Sequence, residues 1–331
     1  MALDAIVAEY LGRRRAEGIA NVADLDPGTM RREEELLRHR YGVGPEMAAV
    51  EDHAIAVTGG SINVRLLFPS ADPPATIVYY HGGGWVIGSI DDYDALGRAL
   101  ARDTGCAVAL VDYRKAPEHP HPTAVNDAVA AAIWVEATMT ARIGRAPLVV
   151  AGDSAGGNLA AVVAQLATKH EAPEVALQVL IYPVLDSDLD TPSYLDSANS
   201  LMLTRELMGW FWDQYVPSPL ERSAVTASPA RAATLRGVAP AIVIAAEHDV
   251  LRDEGQAYVE RLRADGVDVL YRMFPGQMHG FFSLHEVLPA SAESRVWLAD
   301  HIVEALRHRE TEVAPASSDS SCPHHQRETT S

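Results

Sequence analysis

One serine, one aspartate and one histidine stand in this chain in settings that suit nucleophilic catalysis. Ser154 lies within Gly152-Asp153-Ser154-Ala155-Gly156-Gly157. An apolar run, Pro147-Leu148-Val149-Val150-Ala151, precedes it, and an alanine-rich run from Asn158 to Thr168 follows. Strand, tight glycine turn and helix is the context in which G-x-S-x-G exposes a reactive hydroxyl. The glycines suit a strained turn with little room for side chains. The helix start behind the serine adds backbone N–H groups and a positive dipole end, which favour negative charge.

A serine hydroxyl is a poor nucleophile near neutral pH and needs a base beside it. Histidine suits that role, because imidazole exchanges a proton in this range. His279 sits in Gln277-Met278-His279-Gly280-Phe281, after the strand-like stretch Val267 to Phe274. Asp249 begins Asp249-Val250-Leu251-Arg252-Asp253-Glu254, just beyond the strand-like Ala241 to Ala246. A carboxylate there would hold the imidazole tautomer and stabilise the imidazolium. A fourth segment, His81-Gly82-Gly83-Gly84-Trp85, follows the strand-like Ala75 to Tyr80. Its glycines leave backbone N–H groups uncovered, as an oxyanion site requires. The chain order Ser154, Asp249, His279 differs from the orders found in chymotrypsin-like and subtilisin-like hydrolases.

These segments together closely resemble the bacterial hormone-sensitive-lipase-like carboxylesterases of the α/β-hydrolase superfamily. The resemblance is carried by HGGGW at 81–85, GDSAGG at 152–157, DVLRDE at 249–254 and HGF at 279–281. Asp112-Tyr113-Arg114, Ala116 to Pro120 and Tyr182 to Asp186 add to it, and it spans about Leu3 to Leu306. It implies Ser154 as nucleophile, Asp249 as orienting acid and His279 as base. The oxyanion donors would be the N–H groups of Gly83, Gly84 and Ala155, with His81 and Gly82 shaping the loop. It also implies short- to medium-chain acyl esters as substrates and no cofactor or metal. A homodimer through the last sheet edge is open, though no residue compels it. Lys115, His121 and the stretch Asn199 to Thr204 depart from the family pattern, the last at the entry to a cap helix.

The elements that must position these groups alternate. Helices are expected over 3–17 and 29–40, with Asp26 as a possible N-cap, and a hairpin over 50–68 around Thr58-Gly59-Gly60-Ser61. Strands at 75–80, 106–112, 147–151, 175–181, 240–246 and 267–273 are separated by helices at 91–103, 123–137, 155–168 and 253–264, and a helix at 291–307 closes the series. That alternation means an α/β fold, a mostly parallel sheet with helices on both faces. The stretch 187–236 holds no obvious core strand and is rich in aromatics. It reads as a cap inserted between two core parts, 49–186 and 237–309, and completed by N-terminal helices within 1–48. Trp85, Trp210 and Phe211 are the candidates for lining a substrate pocket. Residues 310–331, rich in Ser, Thr and Glu, read as a disordered tail. Cys322, His324 and His325 within it match no strong metal spacing.

Composition narrows the rest. A chain of 331 residues, 48% hydrophobic, can bury a large core. Its net charge of −18 argues against nucleic acid and against anionic membranes. The first ten residues hold Asp4 and Glu9 and lack a signal-peptide pattern, and no run is long enough to span a bilayer. The two cysteines suggest no disulfide framework. A cytoplasmic enzyme is therefore expected, without stable membrane insertion.

Smaller features read as support. Arg31/Glu35 and Glu34/Arg38 have the spacing of surface helix pairs. Glu118 and His119 read as a loop brace, Arg252 to Glu254 as supports for the Asp249 loop, and Asp153 as an elbow hydrogen-bonding group or a helix-start charge complementing the dipole. The leading expectation is a small-molecule ester hydrolase working through an acyl-enzyme. An amidase or lactonase with the same residues, or a non-catalytic small-molecule receptor on the same fold, are the rivals.

Overall fold

A computed structural model of the chain describes residues 2–16, 26–284 and 287–313. Its centre is an 8-stranded sheet in the order β1-β2-β4-β3-β5-β6-β7-β8. Strands β1 (Ala49–Val57) and β2 (Gly60–Phe68) form the expected hairpin, and β2 joins β4 (Ala107–Asp112) antiparallel. The remaining strands run parallel: β3 (Thr76–Tyr80), β5 (Leu148–Asp153), β6 (Leu177–Ile181), β7 (Ala241–His248) and β8 (Val269–Met278). Residues of β3, β5, β6 and β7 are buried on both faces, which is why these strands read as unbroken apolar runs. The hairpin's outer strand alternates exposed and more buried positions over most of its length.

Helices cover both faces. On one side α4 (Thr123–Ile143), α5 (Ala155–Ala167) and α8 (Arg252–Ala264) bury Ala128, Leu159 and Tyr258. On the other, α3 (Asp94–Thr104) and α9 (Pro289–Val313) bury Leu96 and Leu298, and α1 (Ala5–Ala16) adds Val7. Every residue of α5 from Ala155 to Gln165 is buried, because its small side chains let it lie close on the sheet. From β3 the sheet grows one way through β4 and the other way through β5. The connections at this switch point lead to opposite faces, so a crevice opens beyond the carboxyl ends of β3 and β5.

The stretch between β6 and β7 holds α6 (Pro192–Leu195), α7 (Arg205–Tyr215) and short 3₁₀ turns, and no strand among its residues. Thr204 caps α7 by accepting the Leu207 N–H at 3.1 Å. Before the sheet, α2 (Pro27–Leu37) begins at Asp26, whose side chain accepts the Thr29 N–H at 3.0 Å. The expected pairs along α2 do not form. Arg31 instead clamps Glu118 with two bonds of 2.8 Å, and Arg38 reaches Asp92 at 2.8 Å. These arginines face the loops of the sheet domain, so long-range partners outcompete helical neighbours. Residues 310–313, expected in the tail, continue α9, since no helix breaker precedes Pro315. Cys322, His324 and His325 lie outside the described residues. Among the described residues no helix is long and apolar enough to cross a membrane.

Candidate active site

Ser154 sits between the end of β5 and the start of α5 with φ 54° and ψ −118°, a conformation that a side chain rarely accepts. Its N–H donates to the Ile181 carbonyl at 2.9 Å, and its carbonyl accepts from Val184 at 3.1 Å. These bonds to the β6 end over-determine the turn. Glycine is required at 152 and 156 by close approach. A Cβ on Gly156 would collide with the Tyr80 carbonyl oxygen, and one on Gly152 with the Gly156 carbonyl. The turn can therefore form only because these two positions lack side chains.

The elbow brings Ser154 beside His279. His279 Nε2 lies 3.0 Å from Ser154 Oγ, and His279 Nδ1 lies 2.8 Å from Asp249 Oδ2. Asp249 is fully buried, and its other oxygen accepts the Leu251 N–H at 2.9 Å. When Asp249 Oδ2 accepts a hydrogen bond from Nδ1–H, the Nε2 lone pair of that tautomer faces the serine hydroxyl. The His279 ring also packs against Tyr182, with centroids 4.7 Å apart.

The loop that presents Asp249 is tied down on several sides. Ser193 of α6 donates to the Val250 carbonyl at 2.6 Å, and the Ser193 N–H donates to Asp253 at 2.8 Å. Arg252 donates to the Glu247 carbonyl at 3.1 Å. Glu254 accepts the Leu185 N–H at 2.7 Å, and its complete burial pushes its carboxyl well above the ordinary range.

The glycine loop after β3 is held from below. The Gly82 N–H donates to Asp153 at 3.0 Å and to the Tyr93 hydroxyl at 3.1 Å. The Gly82 carbonyl is 2.7 Å from His81 Nδ1, so the imidazole donates there. In a trans peptide the N–H points opposite the carbonyl, so this bond aims the Gly83 N–H away from His81. No hydrogen bond among the described residues uses the N–H groups of Gly83, Gly84 or Ala155. His81 is buried and stacked on Tyr113 at 4.4 Å. Burial, then Lys115, lowers its pKa to about 4, so the ring is neutral near pH 7.

Asp153 is buried beneath both loops. It accepts from the Tyr79 hydroxyl at 3.0 Å and the Tyr93 hydroxyl at 2.9 Å as well as from Gly82. Burial pushes its carboxyl up to about 6 although these three donors oppose the shift.

A cavity of about 190 Å³ opens above Ser154 and His279. Gly82, Gly83 and Gly84 line it, and Met202, Leu203, Leu207, Met208 and Phe211 are the larger apolar residues of its lining. The polar part of its lining comprises Arg14, Glu34, Tyr41, Asp92 and Tyr93. Of the three aromatics expected in a pocket, only Phe211 lines it. Trp85 is wholly buried, stacked on Tyr215 at 4.1 Å, and does not line the cavity. Trp210 stands against the edge of Phe211 at 5.3 Å and does not reach the cavity. Leu207, Met208 and Phe211 share one face of α7, a pattern visible as i, i+1, i+4 spacing. Glu34 and Tyr41 carry no comparable signal. Among the departures from the family pattern, Lys115 pairs with Asp112 at 2.8 Å and His121 meets Thr226 at 3.0 Å, both away from the cavity. The Asn199 to Thr204 stretch does reach it, through Met202 and Leu203.

Residues 77–283 match a family model described as the alpha/beta hydrolase fold. Over 259 residues the chain is 40% identical to a Mycobacterium tuberculosis protein named carboxylesterase NlhH, covering 76% of this chain and 80% of that one. It is 35% identical over 319 residues to an ethyl acetate hydrolase from Pseudomonas putida, covering 93% and 99% of the two chains. The solved structure of a Pyrobaculum calidifontis esterase superposes with a TM-score of 0.84 at 37% identity, covering 91% and 98%. The fold and site thus define a hydrolase class, and the chain belongs to the α/β-hydrolase family, in its hormone-sensitive-lipase-like carboxylesterase branch.

Proposed function

We propose that this protein hydrolyses carboxylic esters of short to medium acyl chains through an acyl-enzyme on Ser154. The observation that carries this reading is the continuous path Asp249–His279–Ser154, with bonds of 2.8 and 3.0 Å, ending in a cavity. His279 takes the hydroxyl proton as Ser154 Oγ attacks the ester carbonyl. Asp249 stabilises the imidazolium that results. The tetrahedral oxyanion accepts from the uncommitted N–H groups of Gly83, Gly84 and Ala155, at the positive end of α5. His279 then protonates the leaving alcohol as the carbon–oxygen bond breaks. Water, deprotonated by His279, attacks the acyl carbonyl; collapse of the second intermediate releases the acid and restores Ser154.

The segment 187–236 and the N-terminal helices act as the cap in this reading, since Met202, Leu207, Glu34 and Tyr41 from them wall the cavity. The small volume, about 190 Å³, favours short acyl groups over long lipid chains. The test is hydrolysis of a chain-length series of chromogenic acyl esters, with Ser154→Ala as control. Serine-dependent turnover that peaks at short chains is expected. Turnover retained in Ser154→Ala, or none at all from folded wild-type protein, refutes the proposal.

A further inference from the structure

Two ionisable groups line the Ser154 cavity beside its apolar residues, and neither has an ion-pair partner among the described residues. Glu34, on α2, accepts the Tyr41 hydroxyl at 3.1 Å and has no salt bridge among the described residues. Arg14, on α1, donates to the Tyr10 hydroxyl at 3.4 Å and likewise has no salt bridge among the described residues. The neighbouring Asp92 differs, being committed to Arg38 at 2.8 Å and Ser89 at 2.7 Å. Desolvation pushes the Glu34 carboxyl upward, Asp92 adds to the shift, and Arg14 opposes it. No hydrogen bond or salt bridge among the described residues joins the guanidinium to the carboxyl, though both line the same cavity. Each group thus has hydrogen-bonding capacity beyond its one tyrosine partner, and at a cavity wall a ligand can use that capacity.

We propose that the cavity takes esters whose arm remote from the scissile carbonyl ends in a hydroxyl group. A hydroxyl accepts a bond from the Arg14 guanidinium and donates one to the Glu34 carboxyl, so it completes both at once. An ammonium would serve Glu34 and repel Arg14. A carboxylate would serve Arg14 and repel Glu34, and an alkyl end would leave both unmet. The apolar residues Leu207, Met208 and Phe211 accommodate the methylenes between the ester and that hydroxyl. This inference rests on the esterase reading above and names the substrate class for the same site.

The experiment compares kcat/KM within two matched pairs: hydroxypropyl butyrate against propyl butyrate, and ethyl ω-hydroxyhexanoate against ethyl hexanoate. The pairs place the hydroxyl on the alcohol or the acyl arm. At least one should show a preference of about tenfold or more for the hydroxylated ester, as expected for hydrogen bonds to charged groups. In Glu34→Leu and Arg14→Met the ratio within that pair should fall toward one. Glu34→Gln, which is nearly isosteric, should lower it at least threefold and covers a failure of the leucine variant to fold. Ratios near one in both wild-type pairs, or a ratio unchanged in the folded variants, overturn the inference while leaving the esterase reading intact. Failure of wild-type protein to cleave any of the four esters refutes the esterase reading itself.

Discussion

Asp249→Asn tests the proposed roles of Asp249 and His279 with one atom exchanged. Asp249 uses its two oxygens differently: one faces His279 Nδ1 at 2.8 Å, and the other accepts the Leu251 N–H at 2.9 Å. An asparagine has one acceptor and one donor end, so each orientation fails somewhere. With its oxygen toward His279, the amide NH₂ meets the Leu251 N–H, donor against donor, in a fully buried site. With its oxygen toward Leu251, the NH₂ faces Nδ1 and forces the proton onto Nε2, where no lone pair remains for Ser154. The first arrangement leaves a buried donor unmet, about 1–3 kcal/mol. Either arrangement also loses the charge-assisted bond that favours the imidazolium, about 1.5–3 kcal/mol. The sum, about 2.5–6 kcal/mol, corresponds to a fall in kcat of roughly 10²–10⁴-fold at about 1.4 kcal/mol per decade. The assay is steady-state hydrolysis of a chromogenic short-chain ester, with a thermal melt to establish that the variant folds. A folded variant that keeps more than a tenth of the wild-type kcat would refute this account of Asp249.

Further predictions bear on the elbow, the buried titratable pair and the cavity wall. Gly156→Ala should abolish activity and destabilise the fold by several degrees in a thermal melt, because its Cβ would meet the Tyr80 carbonyl; near-normal activity would contradict the packing at the elbow. Asp153, raised to about 6, is ionised more readily in the unfolded chain, so between about pH 4 and 6 it lowers stability as pH rises. His81, lowered to about 4, does the reverse: its contribution grows as pH rises from about 4 to 6.5. Urea titrations across this range should therefore give a steeper rise with pH for Asp153→Asn than for wild type and a flatter one for His81→Gln, and parallel curves would refute both assignments. Phe211→Ala removes a ring from the cavity wall and should move the acyl-chain optimum toward longer esters in the chain-length series; an unmoved optimum would exclude Phe211 from the acyl path.

Much of the fold was legible because its signals are local. The buried parallel strands are short apolar runs bounded by glycine, proline or polar residues, and the helices between them end near Gly105 and Gly144. Strand ends were harder. β8 was expected to stop near Phe274, yet it continues through Pro275 and Gly276 to Met278. A proline is tolerated there because β8 is an edge strand, and its pairing with β7 slips between Ala246 and His248. Ser154, Asp249 and His279 could be selected because each lies in a short motif next to a strand end, and the structure brings the three together. The cavity walls were less legible. Residue type suggested Trp85 and Trp210, but a large aromatic ring fills a core as readily as it lines a pocket. Glu34 and Tyr41 come from helices far in sequence from Ser154, and no local pattern separates inward-facing Glu34 from Glu33 and Glu35 beside it.

Buried hydrogen bonds fix the spacing between Ser154 and the glycine loop. Asp153 is the residue before Ser154, and its carboxylate holds the Gly82 N–H at 3.0 Å, one residue before Gly83. Tyr79 and Tyr93 hold the same carboxylate, so the tie is braced from β3 and from the residue preceding α3. The Ser154 carbonyl meanwhile accepts from Val184, and Leu185 donates to Glu254 on the helix that follows the Asp249 loop. Ser154 is therefore linked by short hydrogen-bonded steps to the glycine loop on one side and to the acid loop on the other. A sliding of β3 against β5 would have to break the Asp153 bonds inside the core, where lost partners are not replaced by water. Preorganised donors are effective when they do not move as charge develops, and in the proposed mechanism the restraint on the Gly83, Gly84 and Ala155 N–H groups would lie in these buried polar bonds.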